Sequence, residues 1–154
     1  MNENIVMVAD GYDHIDGGNA YRSAVKRLTL GAPLLEENKA MPIAAQLWKE
    51  QADGTLAVSC KLPVHQVLDL MLFFSRTLLY FKEAYRLPDL YDAKNPVVER
   101  IGLQGDAMNV SVCLDNPQIK QDMVAFSQSL SDLGELTGER LRTLTRLLEE
   151  LEMY

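Results

Sequence analysis

Residues 62–86, LPVHQVLDLMLFFSRTLLYFKEAYR, form the longest and most apolar segment of the chain. Pro63 suits the first turn of a helix, where its missing N–H would have no partner in any case. Neither glycine nor proline follows until Pro88, which is expected to stop the helix. Leucine, methionine and phenylalanine dominate the interior and tolerate helical rotamers well. We therefore predict one central buried helix over residues 63–86.

This helix carries one polar stripe on an otherwise apolar surface. At about 100° per residue, four ionisable side chains fall within about 40° of one another. These are His65, Asp69, Arg76 and Glu83. The stripe is interpreted either as the solvent-facing strip of a core helix or as the wall of a pocket. In the pocket interpretation His65 and Asp69 are catalytic groups and Arg76 binds an anion.

A membrane-spanning helix is excluded by the charges inside this segment. Asp69 and Arg76 interrupt the apolar run, whereas a spanning helix requires about 18 or more consecutive apolar residues.

The length of 154 residues fits a single globular domain over residues 1–154. The net charge of −7 argues against nucleic acid or an anionic membrane as a partner, because both require a basic surface.

The two cysteines, Cys60 and Cys113, lie in stretches where apolar and polar residues alternate. Neither cysteine belongs to a CxxC pattern, and no histidine lies near either one at the spacing of a metal site. We therefore expect both to be buried structural thiols. The absence of a signal-peptide pattern at the N-terminus predicts a cytoplasmic protein with reduced cysteines.

The most unusual composition is found in residues 10–19, DGYDHIDGGN, with three aspartates, three glycines and one of the two histidines. EF-hand, Rossmann and P-loop patterns are absent. One hypothesis is a divalent-metal site formed by Asp10, Asp13, His14 and Asp16. A second is anion binding by the backbone N–H groups of Gly17, Gly18 and Asn19. The third interpretation is an ordinary polar loop with side-chain turns.

Periodicity predicts an α+β fold around the central helix. Residues 4–9 are typical of a strand or a docked N-terminal arm, and a helix is predicted from Ala20 to about Leu28. Residues 42–49 and 55–62 predict a hairpin, and residues 97–103 and 107–114 favour a second. We expect the helix over residues 63–86 to pack on a small antiparallel sheet made of these two hairpins, with helices following at the C-terminus.

The C-terminal region is predicted to be helical from Asn116 and Pro117 onwards. A helical hairpin broken around residues 134–138 is favoured over one long helix. Its last part carries leucines at heptad-like spacing, at Leu141, Leu144, Leu148 and Leu151. This stripe docks either on the protein itself or on a second copy.

Two functional hypotheses follow from these patterns. The favoured one is a non-catalytic protein that forms a homodimer through the C-terminal leucines. The alternative is a small-molecule or metal-dependent enzyme whose site joins the loop of residues 10–19 to the polar stripe. Asp106 is added to that site as a ligand-binding residue. Apart from the divalent metal of this alternative, no cofactor is expected.

Overall fold

A computed structural model describes residues 4–15, 24–32 and 43–152 of the chain, and it confirms the α+β class. The strands are β1 (Ile5–Asp10), β2 (Val25–Gly31), β3 (Ala44–Glu50), β4 (Leu56–Pro63), β5 (Val97–Gly102) and β6 (Ala107–Ser111). The helices are α1 (Val64–Glu83), α2 (Ile119–Asp132) and α3 (Gly134–Glu152), with 3₁₀ turns at Tyr12–His14 and Ala84–Arg86. The chain forms two compact units, an N-terminal unit (Met1–Leu72) and a C-terminal unit (Phe73–Tyr154).

The N-terminal unit contains a four-stranded antiparallel sheet in the order β1-β2-β3-β4. The predicted hairpin over residues 42–49 and 55–62 is confirmed as β3 and β4. Its turn closes where the Gln51 N–H donates to the Thr55 carbonyl at 2.7 Å. Gly54 adopts a φ of 86°, which glycine reaches without the steric cost that a Cβ imposes. Of the two alternatives for residues 4–9, a strand or a docked arm, the structure shows the strand, as β1.

The prediction of a helix from Ala20 to about Leu28 is wrong for the part that the structure describes, from residue 24 onwards. Val25 begins β2, which pairs with β1 on one side and with β3 on the other. The three-residue spacing of Val25 and Leu28 matches a helical face, but hydrogen bonding to two neighbouring strands overrides so short a pattern. The first part of the predicted helix, residues 20–23, lies outside the described residues.

Trp48 lies in the buried part of the N-terminal unit, a position that its strand periodicity alone left open. Its indole is 8% exposed, and its Nε1–H donates to the Thr29 hydroxyl at 2.9 Å. The Thr29 hydroxyl in turn donates to Gln46 Oε1 at 2.9 Å. The sheet therefore buries a polar network whose hydrogen bonds are satisfied between β2 and β3.

The C-terminal unit contains a separate two-stranded sheet, β5 and β6. The second predicted hairpin is therefore confirmed, but the expectation that both hairpins build one sheet is wrong. Strand β4 instead joins the sheet of β1, β2 and β3, and the hydrogen bonds of that sheet involve neither β5 nor β6. The preference for two C-terminal helices over one is confirmed, with Leu133 between α2 and α3, but the predicted break at residues 134–138 lies inside α3. The Leu133 N–H donates to the Ser129 carbonyl and the Leu133 carbonyl accepts from the Thr137 N–H, so helical hydrogen bonding continues through the junction and the expected hairpin turn is not observed there.

Helix α1 begins immediately after Pro63, the last residue of β4, and gives way to the 3₁₀ turn before Pro88. None of its residues is fully buried, so the prediction of a central buried helix is wrong in its burial. Leu68, Leu70 and Leu79 are each more than half exposed. Hydrophobic periodicity shows which side chains favour removal from water, but it does not specify the surface that covers them.

Both cysteines are free and exposed, which corrects the expectation of buried thiols. Cys60 lies on β4, an edge strand of the four-stranded sheet, and residues 58–61 are all exposed. Alternation along a strand indicates two faces, but it does not show that either face is covered.

Candidate functional site

The first two aspartates of the loop of residues 10–19 are engaged by basic side chains of β2. Asp10 Oδ1 accepts a hydrogen bond from Arg27 Nε at 2.6 Å, and Asp13 Oδ2 accepts one from Lys26 Nζ at 2.9 Å. The Lys26 hydrogen bond holds the pKa of the Asp13 carboxyl below its usual value. His14 Nε2 lies 3.5 Å from the other Asp13 oxygen. These contacts tie the 3₁₀ turn to the sheet.

The remaining members of this predicted site, Asp16, Gly17, Gly18 and Asn19, lie outside the described residues. Within residues 4–15, 24–32 and 43–152, no three histidine, cysteine, aspartate or glutamate side chains are grouped so that they could hold a metal ion. The metal and anion hypotheses for this loop therefore stay predictions.

The residues of the polar stripe on α1 differ in their exposure and in their partners. His65 is exposed and Asp69 is half-buried. Arg76 Nε lies 3.0 Å from Glu99 Oε1 on β5, as the solvent-strip interpretation expects of an ion-paired arginine. Among the described residues, no hydrogen bond or ion pair joins His65 or Asp69 to the carboxylates of Asp10 and Asp13. The composite catalytic site stays a prediction.

Asp106 lies in the turn between β5 and β6 and is almost fully exposed. Its Oδ1 accepts a hydrogen bond from the Ala107 N–H at 2.8 Å and lies 3.5 Å from Arg100 Nη2. The side chain thus stabilises its own turn and pairs with the neighbouring strand. Its predicted role in ligand binding remains to be tested.

The C-terminal unit contains an apolar pocket of about 270 Å³. Helix α1 contributes Phe73, Thr77, Tyr80 and Phe81. At about 100° per residue these positions fall within about 100° of one another, so they share one face of the helix. Helix α2 contributes Ile119, Asp122, Met123 and Phe126, at the same helical spacing. The hairpin and the residues after it supply the rest: Val98, Val110, Ser111, Val112, Cys113 and Asn116.

The aromatic wall of this pocket is held in place by one hydrogen bond and by contacts between its own rings. The Tyr80 hydroxyl donates to the Leu90 carbonyl at 2.8 Å, and burial raises the pKa of the Tyr80 phenol. The rings of Tyr80 and Phe81 meet edge to face with centroids 5.5 Å apart. The Phe81 and Phe126 centroids are 5.1 Å apart, so α1 and α2 hold one another through aromatic contact.

A short polar segment borders the pocket at the start of α2. Asn116 Nδ2 donates to Asp122 Oδ2 at 2.8 Å, and the Gln118 N–H donates to Asn116 Oδ1 at 2.9 Å. Asn116 therefore forms a side-chain turn ahead of α2 and orients the Asp122 carboxylate. The prediction of Asn116 as the cap is wrong, because α2 begins at Ile119 and its N-cap position is Gln118, without a side-chain hydrogen bond. Among the described residues that line the pocket, Asp122 alone is charged at neutral pH.

Sequence reasoning did not find this pocket. Phe73, Phe81 and Phe126 are the residues that an apolar pattern assigns to a core, and the two phenylalanines in contact are 45 positions apart. The one available signal was the placement of Thr77 and Tyr80, with polar atoms, on the same helical face as Phe73. A core face rarely requires hydroxyl groups, because each needs a hydrogen-bond partner.

A second cavity, of about 390 Å³, lies beside Arg76 and Arg86. Its two guanidinium groups would suit an anion, which was the role predicted for Arg76. Arg76 is paired with Glu99, however, and Arg86 Nη2 lies 2.7 Å from Glu83 Oε1. The cavity is thus lined by neutralised charges.

Helix α3 carries the leucine stripe predicted from the sequence. Leu141 and Leu144 are half-buried, whereas every residue from 145 to 152 is exposed. That exposed segment includes Leu147, Leu148 and Leu151, at 46%, 49% and 57% exposure.

These features define a two-unit α+β protein with an apolar pocket and an exposed, leucine-bearing terminal helix. The chain belongs to a family of unknown function, DUF6530, whose model matches residues 1–154. No curated protein and no solved structure is significantly similar to the chain. In the described ranges, none of the helices has the length and apolar character that crossing a membrane requires.

Proposed function

We propose that this protein is a non-catalytic interaction protein that forms a homodimer through α3. The observation that carries this proposal is that every residue from 145 to 152 is exposed, including three leucines that are each about half exposed. Burying a leucine side chain stabilises a protein by about 1.5–3 kcal/mol. A surface that covered Leu147, Leu148 and Leu151 would therefore add substantially to the stability of the helix.

The end of α3 also needs support for its conformation. Isolated helices shorter than about 12–15 residues are marginal in water, and most helical stability in proteins comes from tertiary packing. Every described residue from 145 onwards is exposed, and Leu147, Leu148 and Leu151 each keep about half of their surface in water. Three glutamates, Glu149, Glu150 and Glu152, lie at the negative end of the helix dipole and weaken it further.

A second copy of the chain offers a matching surface. Leu141, Leu144, Leu148 and Leu151 fall within about 80° of one another on α3, and Leu147 lies beside them. A stripe this narrow is typical of a helix that meets one other helix along a seam. In a twofold-symmetric dimer the same stripe serves both subunits, so no further sequence feature is required.

The charges of α3 favour an antiparallel arrangement. Basic residues occupy its middle, at Arg140, Arg142 and Arg146, and acidic residues its end, at Glu149, Glu150 and Glu152. An antiparallel pair places the basic segment of one copy beside the acidic end of the other, whereas a parallel pair aligns like charges. A register that aligns Leu144 with Leu148 of a second copy also aligns Leu141 with Leu151.

We place this dimer in the cytoplasm and without a nucleic-acid partner. Two free, exposed cysteines fit a reducing compartment, in which thiols persist unpaired. The net charge of −7 supplies no general attraction for a phosphate backbone.

Sedimentation equilibrium over a wide concentration range tests the dimer. We expect a mass that approaches twice 17.3 kDa with rising concentration. Leu148→Glu places a charge in the seam and should return the protein to the monomeric mass, because a buried unpaired charge is strongly unfavourable. Thr143→Glu adds the same charge to an exposed position about 120° around α3 from the centre of the stripe and should leave the dimer intact. A wild-type protein that remains monomeric at the highest concentration would overturn the proposal.

A further inference from the structure

We propose that the pocket between α1, the β5–β6 hairpin and α2 binds a small aromatic molecule that carries one ammonium group. The pocket lies entirely within the C-terminal unit, and no residue of α3 lines it. This binding is separate from self-association, so either can fail without the other.

The volume sets the size of the ligand. An engineered cavity of about 150 Å³ accommodates benzene, and natural ligand pockets begin at about 300 Å³. At about 270 Å³, the pocket has room for one aromatic ring with a short side chain.

The walls select an aromatic body. Phe73 and Phe126 line the pocket and are 49% and 44% exposed, so both rings present apolar area that a ligand would remove from water. The edge-to-face contact of Tyr80 with Phe81 and the contact of Phe81 with Phe126 are already formed without a ligand. Little side-chain freedom remains to be lost on binding, which favours affinity.

The charge selects an ammonium group. Asp122 is the only carboxylate in the lining, and Asn116 engages one of its oxygens at 2.8 Å. The other oxygen, Oδ1, has no hydrogen-bond or ion-pair partner among the described residues. The adjacent Lys120 pairs instead with Asp89, at 3.9 Å. An ammonium group would donate a charge-assisted hydrogen bond to Oδ1 and would interact favourably with the aromatic faces.

Three probes of nearly equal size separate shape from charge: 2-phenylethylamine, 2-phenylethanol and 3-phenylpropionate. Their binding is measured as protection of Cys113, which lines the pocket and is exposed, from alkylation by iodoacetamide at neutral pH. Cys60 is exposed on β4 and does not line the pocket, so its alkylation rate in the same sample is the internal reference. Peptide mass spectrometry follows both rates.

We expect 2-phenylethylamine to slow alkylation of Cys113 and to leave Cys60 unchanged. Its dissociation constant should be about tenfold lower than that of 2-phenylethanol, the value of one charge-assisted hydrogen bond. The anion 3-phenylpropionate should bind more weakly than either. Asp122→Asn keeps the acceptor for Asn116 and should abolish the tenfold preference, while Asp115→Asn, outside the lining, should retain it.

Two outcomes would overturn the proposal. If none of the probes protects Cys113 in the wild-type protein, the pocket does not bind molecules of this class. If 2-phenylethanol protects Cys113 as well as the amine does, the pocket binds neutral aromatic molecules and the assigned role of Asp122 is wrong. Both comparisons use the wild-type protein, so neither depends on whether a variant folds.

Discussion

The indole N–H of Trp48 donates a hydrogen bond of 2.9 Å to the hydroxyl of Thr29, which is itself only 2% exposed. The pair joins two neighbouring strands, and the Thr29 hydroxyl completes its own hydrogen bonding with Gln46. A buried donor and a buried acceptor are thus satisfied by one side chain. This small network is the most deeply buried polar feature of the described residues.

Removing that hydroxyl should destabilise the N-terminal unit. Thr29→Val keeps the shape but leaves the Trp48 N–H without its partner, which costs about 1–3 kcal/mol. Trp48 is the only tryptophan in the chain, so its fluorescence during urea unfolding reports on this unit directly. Thr145→Val removes an exposed hydroxyl bonded within α3 and is the matched control, expected to change stability by less than about 0.5 kcal/mol. Equal losses in both variants would contradict the role assigned to Thr29.

The ion pair of Asp13 and Lys26 should make stability depend on pH at both extremes. The pKa of Asp13 is lowered in the folded protein, so its contribution is present above the ordinary value of 3.8 and is lost as the pH falls below it. The pKa of Lys26 is raised by the same hydrogen bond, so its contribution is present below 10.5 and is lost as the pH rises above that value.

The measurement is urea unfolding of the wild type and Asp13→Asn at a series of pH values. The difference in free energy of unfolding between them should be constant near neutral pH and shrink in acid. In a Lys26→Met background the Asp13→Asn substitution should lose most of its effect. A difference that persists unchanged in strong acid would show that the carboxylate does not stabilise the folded state through this pair.

The sequence predicts the individual strands and helices of this protein better than it predicts which of them lie side by side. Alternation along residues 55–62 identified β4, whereas the break expected at residues 134–138 falls inside α3, just after the boundary at Leu133. The prediction failed at Val25, because a strand inside a sheet is stabilised by partners distant in the chain. The prediction that the two hairpins form one sheet failed for the same reason, since a local pattern does not specify which strands lie side by side.

Site prediction was limited for a related reason. Residues close in sequence, such as Asp10 and Asp13, were expected to act together, yet each is paired with a different basic residue of β2. The pocket depends instead on Phe81 meeting Phe126 and on Asn116 orienting Asp122. The second pair is close in sequence, but Asn116 was predicted as the cap of the helix, whereas it lies ahead of the N-cap Gln118 and contacts Asp122 instead.

The antiparallel arrangement of α3 can be tested by cross-linking in a background where Cys60 and Cys113 are replaced by serine. Mixed Leu141→Cys and Leu151→Cys proteins should form a disulfide-linked heterodimer, because that arrangement brings the two positions together. A disulfide requires Cα atoms within about 7 Å, which makes the reaction selective for orientation. Efficient cross-linking of Leu151→Cys with itself would indicate a parallel pair and contradict the charge argument.

The Tyr80 hydroxyl should stabilise the C-terminal unit through its bond to Leu90. Tyr80→Phe removes one partly buried hydrogen bond and is expected to cost about 0.5–1.5 kcal/mol. Thermal unfolding followed by far-UV circular dichroism measures the loss. Tyr85→Phe removes a hydroxyl from a side chain that is 77% exposed and should have little effect. If both substitutions are equally mild, the Leu90 contact does not hold the pocket wall in place.

The two free cysteines have a consequence for this chain outside a reducing environment. Each molecule carries two accessible thiols, one in each unit, and a thiolate on one molecule can be joined to a thiol on another by oxidation. Because each chain has two such points, oxidation can link chains into open series as well as into closed pairs. Air would therefore convert this protein into covalent species of several sizes, and a thiol reductant would return them to single chains.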